Sequence, residues 1–503
     1  MTSHPSNRNF ALPIVEKGGT NQNKLDFPLI SRATLLVAVF LGIVAVFEIG
    51  IPSVIMLFLS MFIFLPLISK TVVSPLPALM ALIVYIPYSK AISGNLGGII
   101  PGLNFTTVLM MIVVLGLYLR SRAIPLESPE PLERSFRNVI LLFCIFGALA
   151  VIHTIIACAD CTLFEEVVFY KRWLDPFLVF FLFSYLVRTP EEGKTLIYLM
   201  VVSLTIIGIG SIWLHHVTAE QDHLVRLRGL EDQSNQMGAF YSNYMFFILG
   251  FLFMKGIGSI RKGLFALGAW GFLLGLFATM SRGDMLGLVG GLLLFFFLRN
   301  RLLLLVIMTG IAFLAINIQF LPEGLRARVE RSAVVHNDPY NMDHSTQLDA
   351  SARTRLAIWT GAVRMIMDHP VEGVGLKMFP QYIYDYVPHN EETSHLDLLH
   401  RDGHNAYLMV AAEMGLPAFI VFLALLVYMI RIPLQSYRTS PDPFWKAVSV
   451  STLCAVASLI ITNMFGSRLI SLILTGYLWG TFAILLKLPK WTANQIVENT
   501  GTE

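Results

Sequence analysis

Apolar residues run along this chain in blocks of roughly twenty, the length one helix needs to cross a membrane's hydrocarbon core. The blocks fill residues 34–319 almost without a break and resume over 406–486. Their pattern predicts spans near 32–50, 52–69, 72–89, 104–120, 138–157, 172–187, 195–214, 238–256, 262–280, 284–299, 302–320, 405–430, 445–463 and 468–486. That is an all-α, polytopic membrane helix bundle of about 12–14 crossings. The long interruption divides the chain into a tail (1–31), a first set of transmembrane helices (32–320), a large loop (321–403), C-terminal transmembrane helices (404–487) and a second tail (488–503).

The loop is patterned too. From Arg355 onward, Leu356, Trp359, Val363, Ile366 and Met367 recur at helical spacing, which predicts an amphipathic helix on the membrane surface or capping the bundle. Gly373 and Gly375 then break the helix, and the stretch 382–402, rich in Tyr, His and acids, reads as a binding lid.

Composition sharpens this picture. The 503 residues are 55% hydrophobic and 14% charged, with a mean hydropathy of +0.67, against roughly 25% charged in soluble domains. A net charge of +3, with Lys and Arg in short clusters between apolar blocks, encodes orientation and excludes a nucleic-acid-binding surface. Lys70, Arg120, Arg134, Arg188, Lys194, Lys262, Arg299, Arg438 and Lys487 fall in alternate loops, so both termini are expected in the cytoplasm and the large loop outside. Residues 1–26 lack the pattern of a cleaved signal peptide, so the first span is expected to be an uncleaved anchor. Cys158 and Cys161 share a short outer loop where a disulfide can form, or where both stay reduced; Cys144 and Cys454 lie within spans as packing residues.

Three outer segments offer chemistry. Arg282, in the Ser281–Asp284 turn, can present its five donors to a phosphate or pyrophosphate, or simply snorkel or pair with Asp284. Arg355, beside Arg353 and Arg364, can approach the same anion or a lipid headgroup. His404 stands where the loop re-enters the membrane and can accept a proton near neutrality, with His389, His395 and His400 as competitors. The His and Asp residues of 389–404 show no compact zinc spacing, so no metal is expected there.

Taken together, S-R-G-D-M-L-G-L from Ser281, R-L-A-I-W-T-G-A-V-R-M-I-M-D-H-P-V-E-G-V-G-L-K-M-F from Arg355 and H-N-A-Y-L-M-V-A-A-E-M-G-L-P from His404 resemble the O-antigen ligase and polymerase superfamily. The segment R-L-R-G-L-E-D-Q-S-N-Q-M-G-A-F from Arg226 resembles the family's stretch before its central span. The resemblance implies a GT-C-type inverting glycosyltransferase in the bacterial inner membrane, with a periplasmic active site and no metal or other cofactor. Its donor would be an undecaprenyl-pyrophosphate-linked glycan and its acceptor lipid A core or a second lipid-linked repeat. Arg282 and Arg355 would bind the pyrophosphate, His404 would activate the acceptor hydroxyl, and Arg226, Arg228 or Asn235 would help hold the donor. The number of crossings, above that of the ligases, tilts the reading toward a polymerase.

A transporter or flippase of a lipid-linked or small solute is the rival, and a noncatalytic scaffold a third possibility. Transporters place charged groups at mid-membrane, whereas the expected spans here are nearly free of Asp, Glu, Lys and Arg and the arginines gather at the outer interface.

Overall fold

The computed structural model describes residues 67, 74–91, 104–123, 128–158, 161–221, 226–231, 233–320, 326, 350–387 and 401–500. The expected spans at 32–50 and 52–69, apart from residue 67, and the loop stretches 327–349 and 388–400, with His389, His395 and His400, lie outside the described residues. In chain order the helices are α1 (Leu76–Tyr85), α2 (Phe105–Ala123), α3 (Pro131–Ala157), α4 (Leu163–Leu186), α5 (Pro190–Gln221), α6 (Ser234–Leu252), α7 (Ser259–Thr279), α8 (Arg282–Arg299), α9 (Arg301–Ile316), α10 (Ala350–Asp368), α11 (Phe379–Tyr386), α12 (Ala406–Thr439), α13 (Pro443–Thr462), α14 (Leu472–Leu485) and α15 (Leu488–Thr500). No strand occurs among the described residues. Six of the described helical stretches are long and apolar enough to cross a membrane, and the stretches 76–88, 105–119 and 301–314 are shorter apolar helices. The chain is a polytopic membrane helix bundle.

Close backbone approach holds the bundle together where water offers no hydrophobic drive between helices. At the α5–α7 crossing a Cβ on Gly271 would stand 1.7 Å from the Gly208 carbonyl oxygen, so the contact exists only because both residues lack side chains. Next to it, α6 is buried on nearly all sides, and Ser211 Oγ and Tyr241 Oη share a 2.8 Å hydrogen bond between α5 and α6. An aromatic group of Phe136, Phe177, Phe180 and Trp479 locks α3, α4 and α14 together.

Hydrogen bonds define two ends of the bundle. At one end Thr154 of α3 donates to the Leu376 carbonyl, Tyr407 of α12 donates to the Ile460 carbonyl of α13, and Arg226 donates to the Thr279 carbonyl of α7. At the opposite end Lys487 donates to the Val187 carbonyl, Trp491 to the Arg188 carbonyl, and Lys194 pairs with Asp442. The three site segments lie at the first end and the basic inter-helix loops at the second.

The large loop caps the first end. At Gly415 (φ 81°, ψ 169°) α12 kinks, two residues before Pro417, whose missing N–H interrupts the helical ladder. Segment 370–375 pairs with the backbone opened there: Val374 N–H donates to the Ala412 carbonyl (2.8 Å), Gly375 N–H to that of Glu413 (3.1 Å), and Leu416 N–H to that of Pro370 (2.8 Å). On this base α10 and α11 pack through Ile358, Ala362, Met365, Phe379 and Ile383, with Cys158 and Cys161, bonded to each other, at the edge.

Several sequence expectations shift. The loop helix forms, but its buried face is Ile358, Ala362 and Met365, while Leu356, Val363 and Met367 point outward. Apolar residues cover more than one face of α10, so spacing alone does not select the packed one. The outer loop expected over 158–172 is largely helical, because Thr162 caps α4 by accepting from the Glu165 N–H and acids fill the first turn. Likewise α5 extends to Gln221, and the tail expected after 487 is helical as α15. The last span begins at Leu472, not 468, which leaves Arg468 in a loop.

Candidate active site

Three short connections meet at the capped end. The α7–α8 turn is tight: Met280 adopts a left-handed conformation (φ 51°), and Arg282 opens α8. Asp284 in that first turn is 0% exposed and accepts from Ser281 Oγ. Its carboxylate feels the charges of Arg468, Arg226 and Arg355, and Arg468 Nη2 stands 3.9 Å from Asp284 Oδ1.

The second connection, 226–231, lies against the end of α7. Leu227 N–H donates to the Ala278 carbonyl (3.0 Å), Arg226 Nε donates to the Thr279 carbonyl (2.9 Å), and Arg226 Nη2 donates to Asn235 Oδ1 (2.5 Å). Arg226 is therefore fixed against the turn that carries Arg282, and Asn235 is its partner. Arg228, in contrast, is exposed.

The third is the turn before α12. Asn405 caps that helix, accepting from the Tyr407 and Leu408 N–H groups. Immediately before it His404 sits in the left-handed region (φ 46°), a conformation histidine tolerates better than most residues. From α10, Trp359 Nε1 donates to the Gly403 carbonyl at 3.0 Å, so the loop helix clamps the turn that aims His404. Asp402 Oδ2 lies 3.9 Å from His404 Nδ1. Burial holds the His404 pKa below its usual value; Asp402 opposes that, and Arg355, Arg468 and Arg401 add to it. The imidazole is thus kept neutral at pH 7, able to accept a proton.

Sequence reasoning missed Arg468. It lies on the 463–471 connection, is 3% exposed, and has its backbone N–H on Asn463 Oδ1 (2.9 Å). Gly466 leaves room for it, since a Cβ there would come 2.7 Å from the Arg468 guanidinium carbon. Its Nε and Asp284 Oδ1 are buried without a hydrogen-bond partner. The signal was present as a lone arginine in a short connection between two apolar blocks, hidden by counting it as the first residue of a span. The structure thus brings Arg226, Arg355 and Arg468 around Asp284, with Asn235 holding Arg226, with Arg355 and Arg468 also acting on His404, and with Arg282 two positions before Asp284 in the chain.

Beside this polar group lies a cavity of about 220 Å³. Phe143, Phe169, Trp173, Met409 and Phe422 give it apolar walls, and Asp402 and Ser467 face it from the site. No cluster of three or more His, Cys, Asp or Glu residues with metal-ligating geometry occurs among the described residues.

The fold and site define a polytopic membrane helix bundle with several arginines gathered beneath a helical cap at one end. Residues 267–423, from within α7 to beyond the kink of α12, match the O-antigen ligase family. No curated protein matches the chain.

Proposed function

We propose that this protein is an inverting glycosyltransferase that moves a glycan from undecaprenyl pyrophosphate to an acceptor sugar hydroxyl at the periplasmic face of the bacterial inner membrane. The observation that carries this reading is that Arg355 and Arg468 act on both Asp284 and His404, with Arg226 also acting on Asp284. In the reaction, the acceptor oxygen forms a bond to the anomeric carbon from the face opposite the leaving group. The bond from that carbon to the pyrophosphate oxygen breaks, and the hydroxyl proton passes to the neutral His404 ring.

Negative charge grows on the departing pyrophosphate, and fixed guanidinium groups in a water-poor pocket stabilise it far better than solvent does. Arg282 and Arg355 are the residues assigned to the pyrophosphate. Arg226, oriented by Asn235, is placed to assist them, and exposed Arg228 is left at the rim. Arg468 is a positioning residue, holding Asp284 and biasing His404 toward its neutral form. The apolar cavity suits the hydrocarbon next to a pyrophosphate, a pairing that lipid-linked donors share.

Transfer by the purified protein, from an undecaprenyl-pyrophosphate glycan to either lipid A core or a second lipid-linked repeat, tests the proposal. Product on one of the two acceptors is expected, separating ligase from polymerase. The rate should fall by about a hundredfold to a thousandfold in Arg282→Ala or Arg355→Ala. Folded protein that binds the donor yet transfers to neither acceptor would overturn it.

A further inference from the structure

A second polar cleft opens at the opposite end of the bundle, far from His404. It is a small cleft, with about 30 Å³ of room below an open mouth, and its lining includes Glu130, Glu133, Arg137, Ser184, Arg188, Lys487 and Lys490. Four cationic side chains face two carboxylates. One of those carboxylates, Glu133, is already matched by Arg137 at 2.5 Å. The lining thus carries more cationic than anionic side chains, a composition that suits an anion.

Its inner wall holds polar atoms that the protein does not satisfy. Ser184 is 3% exposed and Arg137 9% exposed, yet Ser184 Oγ and Arg137 Nε are buried without a hydrogen-bond partner. Arg137 is held in place by Glu133, by Tyr185 Oη (3.1 Å) and by the Tyr185 ring face (4.5 Å). A buried donor left unmet costs about 1–3 kcal/mol, which a ligand with several acceptor oxygens would relieve. The cleft also lies where α3 begins, α4 ends and α14 passes into α15, at the level expected for lipid headgroups, and basic pockets between helix ends there suit phosphate-bearing lipids.

We propose that this cleft binds a phosphate-bearing anion, with Arg188 and Lys490 at the mouth and Arg137 and Ser184 at the base. A phospholipid headgroup and a free phosphate offer the same chemistry, and the test separates them. The full-length protein in a zwitterionic detergent would be mixed with phosphatidylglycerol, with phosphatidylcholine or with inorganic phosphate, and its melting temperature followed against ligand concentration. A ligand that binds the native state raises that temperature in step with its concentration.

A saturable rise with phosphatidylglycerol alone, lost in the Arg188→Gln/Lys490→Gln double variant, supports the site with a lipid as its occupant. A saturable rise with inorganic phosphate, lost in the same variant, supports the site with a soluble occupant. The variant should match the wild-type melting temperature without ligand. An equal response to phosphatidylglycerol and phosphatidylcholine with none to phosphate, or an anion response that survives in a folded variant, would overturn the proposal. Because glycan transfer is not the readout, failure here leaves the transferase reading intact.

Discussion

At the scale of single residues, the account turns on the charge state of His404. Burial and three arginines depress its pKa, and Asp402 partly restores it. As a general base His404 works in its neutral form, so the acid limb of kcat/KM should lie below pH 6.5, the group's usual value. Removing a nearby positive charge stabilises the imidazolium and raises the pKa, so Arg401→Ala should move that limb to higher pH. Removing the negative charge does the reverse, and Asp402→Asn should move it lower. Opposite displacements in the pH–rate profile separate an electrostatic effect from a general loss of structure, which would depress activity without moving the limb. Arg282, Arg355 and His404 were legible in the sequence because their flanking motifs marked them. Arg468 was not: an arginine at the edge of an apolar block is taken as the first residue of a span until the fold shows it in a connection, buried near Asp284.

At the scale of elements, the loop helix is the part that links cap to chemistry. The Trp359 bond to the Gly403 carbonyl is worth about 1 kcal/mol, and its loss lets the His404 turn drift. Trp359→Phe should therefore slow transfer by roughly fivefold, with little change in melting temperature. An unchanged rate would detach α10 from catalysis. Hydrophobic periodicity located α10 but chose its outward side, because Leu356, Val363 and Met367 repeat at the same spacing as the buried Ile358, Ala362 and Met365. The kink of α12 was equally hidden, since its cause is Gly415 together with the 370–375 segment that pairs with it from a distant part of the chain. Packing also rests on residues that hydropathy ignores. Gly271→Leu forces a side chain into the Gly208 carbonyl and should leave little monodisperse protein on size exclusion.

At the scale of the whole molecule, the alternation of apolar blocks with basic loops gave the membrane bundle and its two unlike ends. Helix boundaries were less legible, because α4 and α5 continue into polar sequence where hydropathy falls although capping and packing persist. Orientation can be checked with the protein in its membrane. With Cys144 and Cys454 replaced by alanine and Cys158 bonded to Cys161, a new cysteine reports its own side. A membrane-impermeant maleimide added to spheroplasts should label Arg401→Cys and spare Lys446→Cys; the reverse pattern would put the site in the cytoplasm.

The most direct test of the central claim is single-turnover glycan transfer by His404→Ala beside the wild type, with donor binding measured on the same samples. The account predicts that the variant binds the undecaprenyl-pyrophosphate glycan as the wild type does, because the arginines are intact, and that transfer is lost. Transfer at the wild-type rate by a variant that binds donor normally would contradict it.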